Sequence, residues 1–112
     1  MKKDTTYHDF VVYDLMSALP EIGSRRMMSG WCVYSRKIPF AAIIGNQLYF
    51  KAKGEMAQNL AVRGSIQFSY KKSDGKMIRM SYWSMPDEVI DNQDAFQELA
   101  KEVIEAVLST VK

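Results

Sequence analysis

Two runs near the middle of the chain alternate between apolar and polar side chains, and they constrain the fold more than any other feature. Ile66, Phe68 and Tyr70 alternate with Gln67, Ser69 and Lys71; Ile78, Met80 and Tyr82 alternate with Arg79 and Ser81. A period of two belongs to an extended strand, whose successive side chains point to opposite faces. Ser73-Asp74-Gly75 lies between the runs, so they form an antiparallel hairpin in which opposed residues share a face. A two-residue loop at Asp74-Gly75 sets Tyr70 opposite Arg79 and Ile78 opposite Lys71. A three-residue loop sets Tyr70 opposite Ile78, Phe68 opposite Met80 and Ile66 opposite Tyr82. Only the longer loop keeps one apolar face, and it places Gly75 in the left-handed position of a bulge. That apolar face is the expected core side.

The surrounding sequence extends the pattern. Short segments rich in Val, Ile, Phe, Tyr and Trp predict strands near 27–35, 39–45, 47–53, 65–72 and 76–84. Gly45-Asn46 suits a tight turn between two of them, since Gly takes positive φ without steric cost. Glu55 to Ala61 reads as a short helix with Met56 and Leu60 on one face and an exit at Arg63-Gly64. Ahead of the strands, Tyr7, Phe10, Val11, Leu15 and Ala18 recur at helical steps and predict a helix over 5–18. Asp4, Thr5 or Thr6 is its expected cap, Pro20 and Gly23 its end, and His8 falls at the border of its stripe. After the strands, Met85-Pro86-Asp87-Glu88 opens a turn of helix through Val89-Ile90. Asp91 or Asn92 then caps a long helix to about Thr110, striped by Phe96, Leu99, Ala100, Val103, Ile104, Val107 and Leu108. The expected fold is α+β: an N-terminal helix, an antiparallel sheet of about five strands with a short inserted helix, and a C-terminal helix on one sheet face.

At 112 residues the chain is one domain, 1–112, with no linker or internal repeat. A domain of this size buries enough surface to fold without disulfide or structural metal. Its single Cys32 forms no internal disulfide, and with the single His8 it makes no zinc cage. No apolar run reaches the roughly 18–20 residues of a membrane helix. Asp9 and Asp14 interrupt the only stretch resembling a signal peptide, so a cytoplasmic protein without membrane contact is expected.

Charge is unevenly placed. The net charge is +2, yet residues 24–80 hold eleven basic and two acidic side chains, while residues 81–112 hold two basic and seven acidic. A basic strand region with aromatics suits nucleic acid, with cations on phosphates and rings stacked on bases. Lys51, Lys71, Arg79 and Trp83 are the candidate contacts, with Tyr49 of the same parity. The plain alternative is a solvated sheet face whose charges guard against aggregation. No helix-turn-helix, zinc finger or RNA-recognition signature accompanies them.

Chemistry-bearing motifs are absent. The chain has no GxGxxG, P-loop or GxSxG, and its carboxylates fall at helix starts and exposed helix positions. Cys32, between Trp31 and Val33 in a strand, reads as a structural thiol. No catalytic residue, cofactor or metal site is assigned, and a non-enzymatic protein is expected, with an enzyme or small-ligand binder the least favoured reading.

The order of several short segments resembles a known family. Arg25-Arg26-Met27-Met28-Ser29-Gly30-Trp31 is similar to the Arg-x-Met-Phe-Gly-Gly opening of the TfoX N-terminal domain family, the Sxy competence regulators. Pro39-Phe40-Ala41, Leu48-Tyr49-Phe50-Lys51, Phe68-Ser69-Tyr70 and Met80-Ser81-Tyr82-Trp83 followed by Pro86 resemble its later segments. Ser29 stands where the family has its first glycine, Met28 where it has Phe, and Cys32 at a later glycine. The resemblance implies an α+β fold and a role in transcriptional regulation without an enzymatic step, as a co-regulator working with a DNA-bound protein. It is also similar to folds of secretion chaperones, which often dimerise. Family regulators commonly carry a second domain, whose properties are not carried over. Arg25, Arg26, Met27, Gly30, Tyr82 and Trp83 are the candidate interaction surface, for a protein partner or a second copy.

Overall fold

The alternating hairpin turns as its pattern requires. In the computed structural model, which describes residues 6–19, 21–27, 30–45, 47–90 and 92–110, Tyr70 pairs with Ile78 and Lys71 with Met77. Lys72 N donates to Lys76 O, Gly75 N donates to Lys72 O, and Gly75 has φ +90°. The loop is therefore Ser73-Asp74-Gly75. Farther from the turn the expected register fails. The pairing shifts between Gln67 and Ser69, Gln67 meets Trp83, and Ile66 N donates to Ser84 Oγ. Ile66 thus lies level with Ser84, not Tyr82.

Six strands form one antiparallel sheet: β1 Ile22–Met27, β2 Gly30–Ser35, β3 Ile38–Ile44, β4 Gln47–Lys51, β5 Gln67–Lys71 and β6 Met77–Ser84, in the order β1-β2-β3-β4-β6-β5. β1 is the strand missing from the expected five. Its sequence, Ile-Gly-Ser-Arg-Arg-Met, has no apolar alternation, and Gly23 reads as a terminator although it sits inside the strand. Met28 and Ser29, between β1 and β2, lie outside the described residues, as do Asn46, between β3 and β4, and Pro20.

Helices cover one side of the sheet. α1, Thr6–Asp9, runs into a π-helical segment, Phe10–Leu15. The expected α-helix over 5–18 is thus shorter and wider. Met16 N donates to Val11 O at 2.9 Å, and this five-residue spacing sends both Val11 and Met16 into the core. Phe10 and Ala18, expected on the buried stripe, are exposed instead. α2, Gly54–Val62, buries Leu60 and exits through Gly64, whose φ is +100°. α3, Asp87–Ile90, precedes α4, Gln93–Thr110. Asn92 Oδ1 accepts from Ala95 N at 3.0 Å and caps α4; Asp91 and the proposed caps Asp4 and Thr5 lie outside the described residues.

The stripe of α4 makes the core. Phe96, Leu99, Ala100, Val103, Ile104 and Val107 pack with Val33, Ala41, Ile43, Leu48 and Phe50 of β2, β3 and β4. The Phe50 and Phe96 rings lie 5.8 Å apart. Each of the Val, Leu, Ile and Phe side chains contributes roughly 1.5–3 kcal/mol on burial. Gln97 Nε2 donates to Leu15 O and ties α4 to the end of the π-helical segment.

Two backbone positions carry tight constraints. Gly30 is buried where β2 meets β3, and a Cβ there falls 1.9 Å from Ile43 O. Arg36 and Lys37 form the two-residue turn between β2 and β3 with φ of +51° and +67°. That turn favours Asn and Gly because side chains crowd the backbone at positive φ. Gly30→Ala is expected to cost about 3 kcal/mol or more, measured by urea unfolding. Lys37→Gly is expected to add about 1 kcal/mol of stability in the same measurement, because the strain disappears.

Candidate functional site

Alternation gives the sheet a covered face and an open one. Tyr49 pairs with Ala42 and Ser84, Tyr82 with Lys51, and Cys32 with Arg25 and Ala42. These side chains share the face opposite Phe50 and Trp83, which turn toward the helices. Phe68 stands on Tyr49 with ring centroids 5.2 Å apart, and Tyr70 lies 6.5 Å from Phe68. Tyr34, opposite Gly23, also belongs to this face. Tyr34, Tyr49, Phe68 and Tyr82 are half-buried, and Tyr70 is 45% exposed. Cys32 and Ala42 point the same way yet are buried, outside the cluster under α4, so the neighbouring side chains roof them. The expected apolar face of the β5–β6 hairpin is therefore this open face, not the one under the helix.

The candidate residues divide between the two sides. Arg25 and Tyr82 lie on the open face, as does Lys51, opposite Tyr82. Arg26 sits on the covered side, its guanidinium 5.0 Å over the Trp31 ring. Trp83 packs against the core, with its Nε1 buried and without a partner among the described residues. Lys71 and Arg79 pair with Met77 and Ser69, on the side opposite Tyr70 and Ile78. The four residues expected to contact nucleic acid together are thus split: Lys51 on one face, Lys71, Arg79 and Trp83 on the other. Bulge and parity explain this, since the expected core side was the wrong side. Gly30 serves the backbone approach to Ile43. Met27 pairs with Gly30, and its side chain lies outside the described residues.

His8 is not a border residue. It is 5% exposed and stacks on Trp31 with centroids 3.9 Å apart. Its Nδ1 lies 2.9 Å from Asp9 Oδ1 and its Nε2 lies 2.8 Å from Ser24 Oγ. In the neutral tautomer that donates to Asp9, the Ser24 hydroxyl donates to Nε2. Both ring nitrogens are satisfied, and the imidazole fastens α1 to β1. The only sequence signal for this was the position of His8 beside the stripe; Ser24 stood in a strand that sequence reasoning missed.

Beside Gly23 lies a cleft of about 720 Å³ lined by Glu21, Arg25, Tyr34, Arg36 and Lys37. Arg36 Nε reaches Glu21 Oε2 at 3.7 Å, and both side chains are more than half exposed. Between the basic strand region and the acidic helices, Arg63 Nε donates to Glu88 Oε1 at 2.5 Å. Among the described residues no group of His, Cys, Asp and Glu gathers to hold a metal ion, and no helix is long and apolar enough to cross a membrane.

The sequence profile of the TfoX N-terminal domain matches residues 14–107. No curated protein matches the chain.

The open face has an electrostatic signature. The Tyr34 hydroxyl donates to the Cys32 sulfur, which, with burial, raises its pKa; burial raises those of Tyr82 and Tyr7. Their phenols are held neutral beyond the ordinary value of 10.0. The neutral form is favoured by the fold, so its stability is intact below that value and is lost as pH rises through the raised ones. In an alkaline titration followed by tyrosinate absorbance, Tyr34 and Tyr82 are expected to ionise late and together with unfolding. A smaller late component in Tyr34→Phe and Tyr82→Phe, with the Tyr7 share remaining, checks the assignment.

Proposed function

The chain belongs to the TfoX N-terminal domain family, and from that premise we propose that it is a small, non-enzymatic regulatory domain that works by contact with a protein partner. Its role in this proposal is that of a cytoplasmic co-regulator of transcription in the control of DNA uptake. The observation that supports it most is the open sheet face. Tyr34, Tyr49, Phe68, Tyr70 and Tyr82 form an aromatic surface that no described helix covers. Tyr combines a large apolar ring with a polar tip and loses few rotamers on contact, so it suits a reversible protein interface. A buried roofed thiol and small Ala42 beneath the rings give the surface a firm floor.

One observation favours a second reading, single-stranded nucleic acid. Lys51 and Arg25 stand on the same face as the rings, an arrangement that can neutralise phosphate while a ring stacks on a base. Binding of that kind weakens steeply with salt.

A Tyr49→Ala/Tyr82→Ala variant tests both. In cells lacking the wild-type gene, it is expected to accumulate normally yet fail to restore transcription of the DNA-uptake genes. Full restoration removes the aromatic face from the proposal. A salt-sensitive shift of labelled oligothymidylate that the variant abolishes supports the nucleic-acid reading instead.

A further inference from the structure

The outer edge of the sheet meets the open face at Arg25 and Tyr34 and presents main-chain groups of its own. Arg36 N donates to Glu21 O at 3.1 Å, which makes Glu21 and Arg36 a hydrogen-bonded pair. In an antiparallel ladder such pairs alternate. Gly23, Arg25 and Met27 therefore bond to β2, while the N–H and C=O groups of Ile22, Ser24 and Arg26 point away from the sheet. β1 is terminal in the strand order, and its six pairs with β2 run without a register shift. Proteins normally guard such edges with bulges, prolines or lysines. The other edge, β5, has a register shift and ends in Lys71; β1 has no shift, proline or lysine, and Arg25 and Arg26 are its only charges.

The cleft adjoins this edge. Gly23 forms its floor, since a Cβ there meets nothing within 4 Å. Arg25, Arg36 and Lys37 put three cations around it, against the single carboxylate of Glu21. Arg36 and Lys37 occupy turn positions of positive φ that favour Asn and Gly. A second copy of β1 is a poor occupant, because Ile22–Met27 brings two more arginines and no carboxylate to this basic edge.

We infer that an extended acidic segment of a partner protein adds to β1 as a seventh strand, its carboxylates meeting Arg25, Arg36 and Lys37. The main-chain bonds supply affinity and the basic cleft supplies selectivity. This rests on the protein-contact reading above and names the partner's chemistry.

The test is an amide-resolved titration of the isotope-labelled chain with a short acetylated peptide alternating valine and glutamate. The matching valine–lysine peptide is the control. Saturable shifts are expected at Ile22–Met27 and Arg36–Lys37 with the acidic peptide alone. Arg25→Glu/Arg36→Glu is expected to weaken binding about tenfold or more. Arg26→Pro, which removes an outward N–H where an edge strand tolerates proline, should do the same. Each variant is first checked for a dispersed, wild-type-like spectrum. No shift with the acidic peptide, or equal shifts with both peptides, overturns the inference. Shifts confined to Tyr34, Tyr49 and Tyr82 overturn the edge site while leaving the protein-contact reading standing. Displacement of the acidic peptide from Ile22–Met27 by oligothymidylate at equal charge reassigns the cleft to nucleic acid and overturns it as well.

Discussion

One layer of helix against a sheet that is apolar on both sides is the constraint on which this structure depends. α4 has a single stripe, and it reaches only one face of the sheet, through Phe96, Leu99, Val103 and Val107. The other face must then survive in water. It does so by packing side chains on one another: Phe68 on Tyr49 and Tyr70 beside Phe68, with Ala42 and Cys32 sealed below. Tyrosine suits this role because its ring shields the floor and its hydroxyl gives the ring a polar tip. An all-aliphatic version of the same face has no such hydroxyls and carries a larger aggregation hazard.

The covered side is fixed at its margins by polar contacts. His8 bridges Asp9 and Ser24, and Gln97 reaches Leu15. These bonds sit where α1, the π-helical segment and the edge strand come together. Hydrophobic packing is non-directional, so it does not by itself choose how a short N-terminal helix meets β1. A buried imidazole with two defined partners does, since leaving either nitrogen unsatisfied costs free energy.

Elements whose period was internally consistent were legible from sequence. The loop Ser73-Asp74-Gly75 followed from the requirement that Tyr70 oppose Ile78, and the stripe of α4 followed from its spacing. The α+β class and the family resemblance were also visible. Periodicity identifies an apolar face but does not say what covers it. That is why the face of Tyr70 and Tyr82 read as core, and why Lys71, Arg79 and Trp83 were grouped with Lys51. β1 was invisible for a related reason: as an edge strand with Gly23, Ser24 and two arginines, it needs little apolar patterning to pair on one side. The π-helical turn was hidden because its i, i+5 spacing of Val11 and Met16 has no place in a helix template.

The placement of charge separates the two surfaces. The open face is rich in rings and carries Lys51 and Arg25 at intervals, so contact there is governed by apolar area. The β1 edge offers unsatisfied main-chain groups beside Arg25, Arg36 and Lys37, so contact there is governed by direction and charge. Arg25 belongs to both, on the strand where the aromatic face meets the edge. A partner strand seated on β1 prolongs the open face by about 4.8 Å and presents its own alternate side chains next to Tyr34. A strand bound at the edge would therefore enlarge the face presented to a further protein. A domain built this way has a physical means of joining two partners, which fits the co-regulator role proposed above.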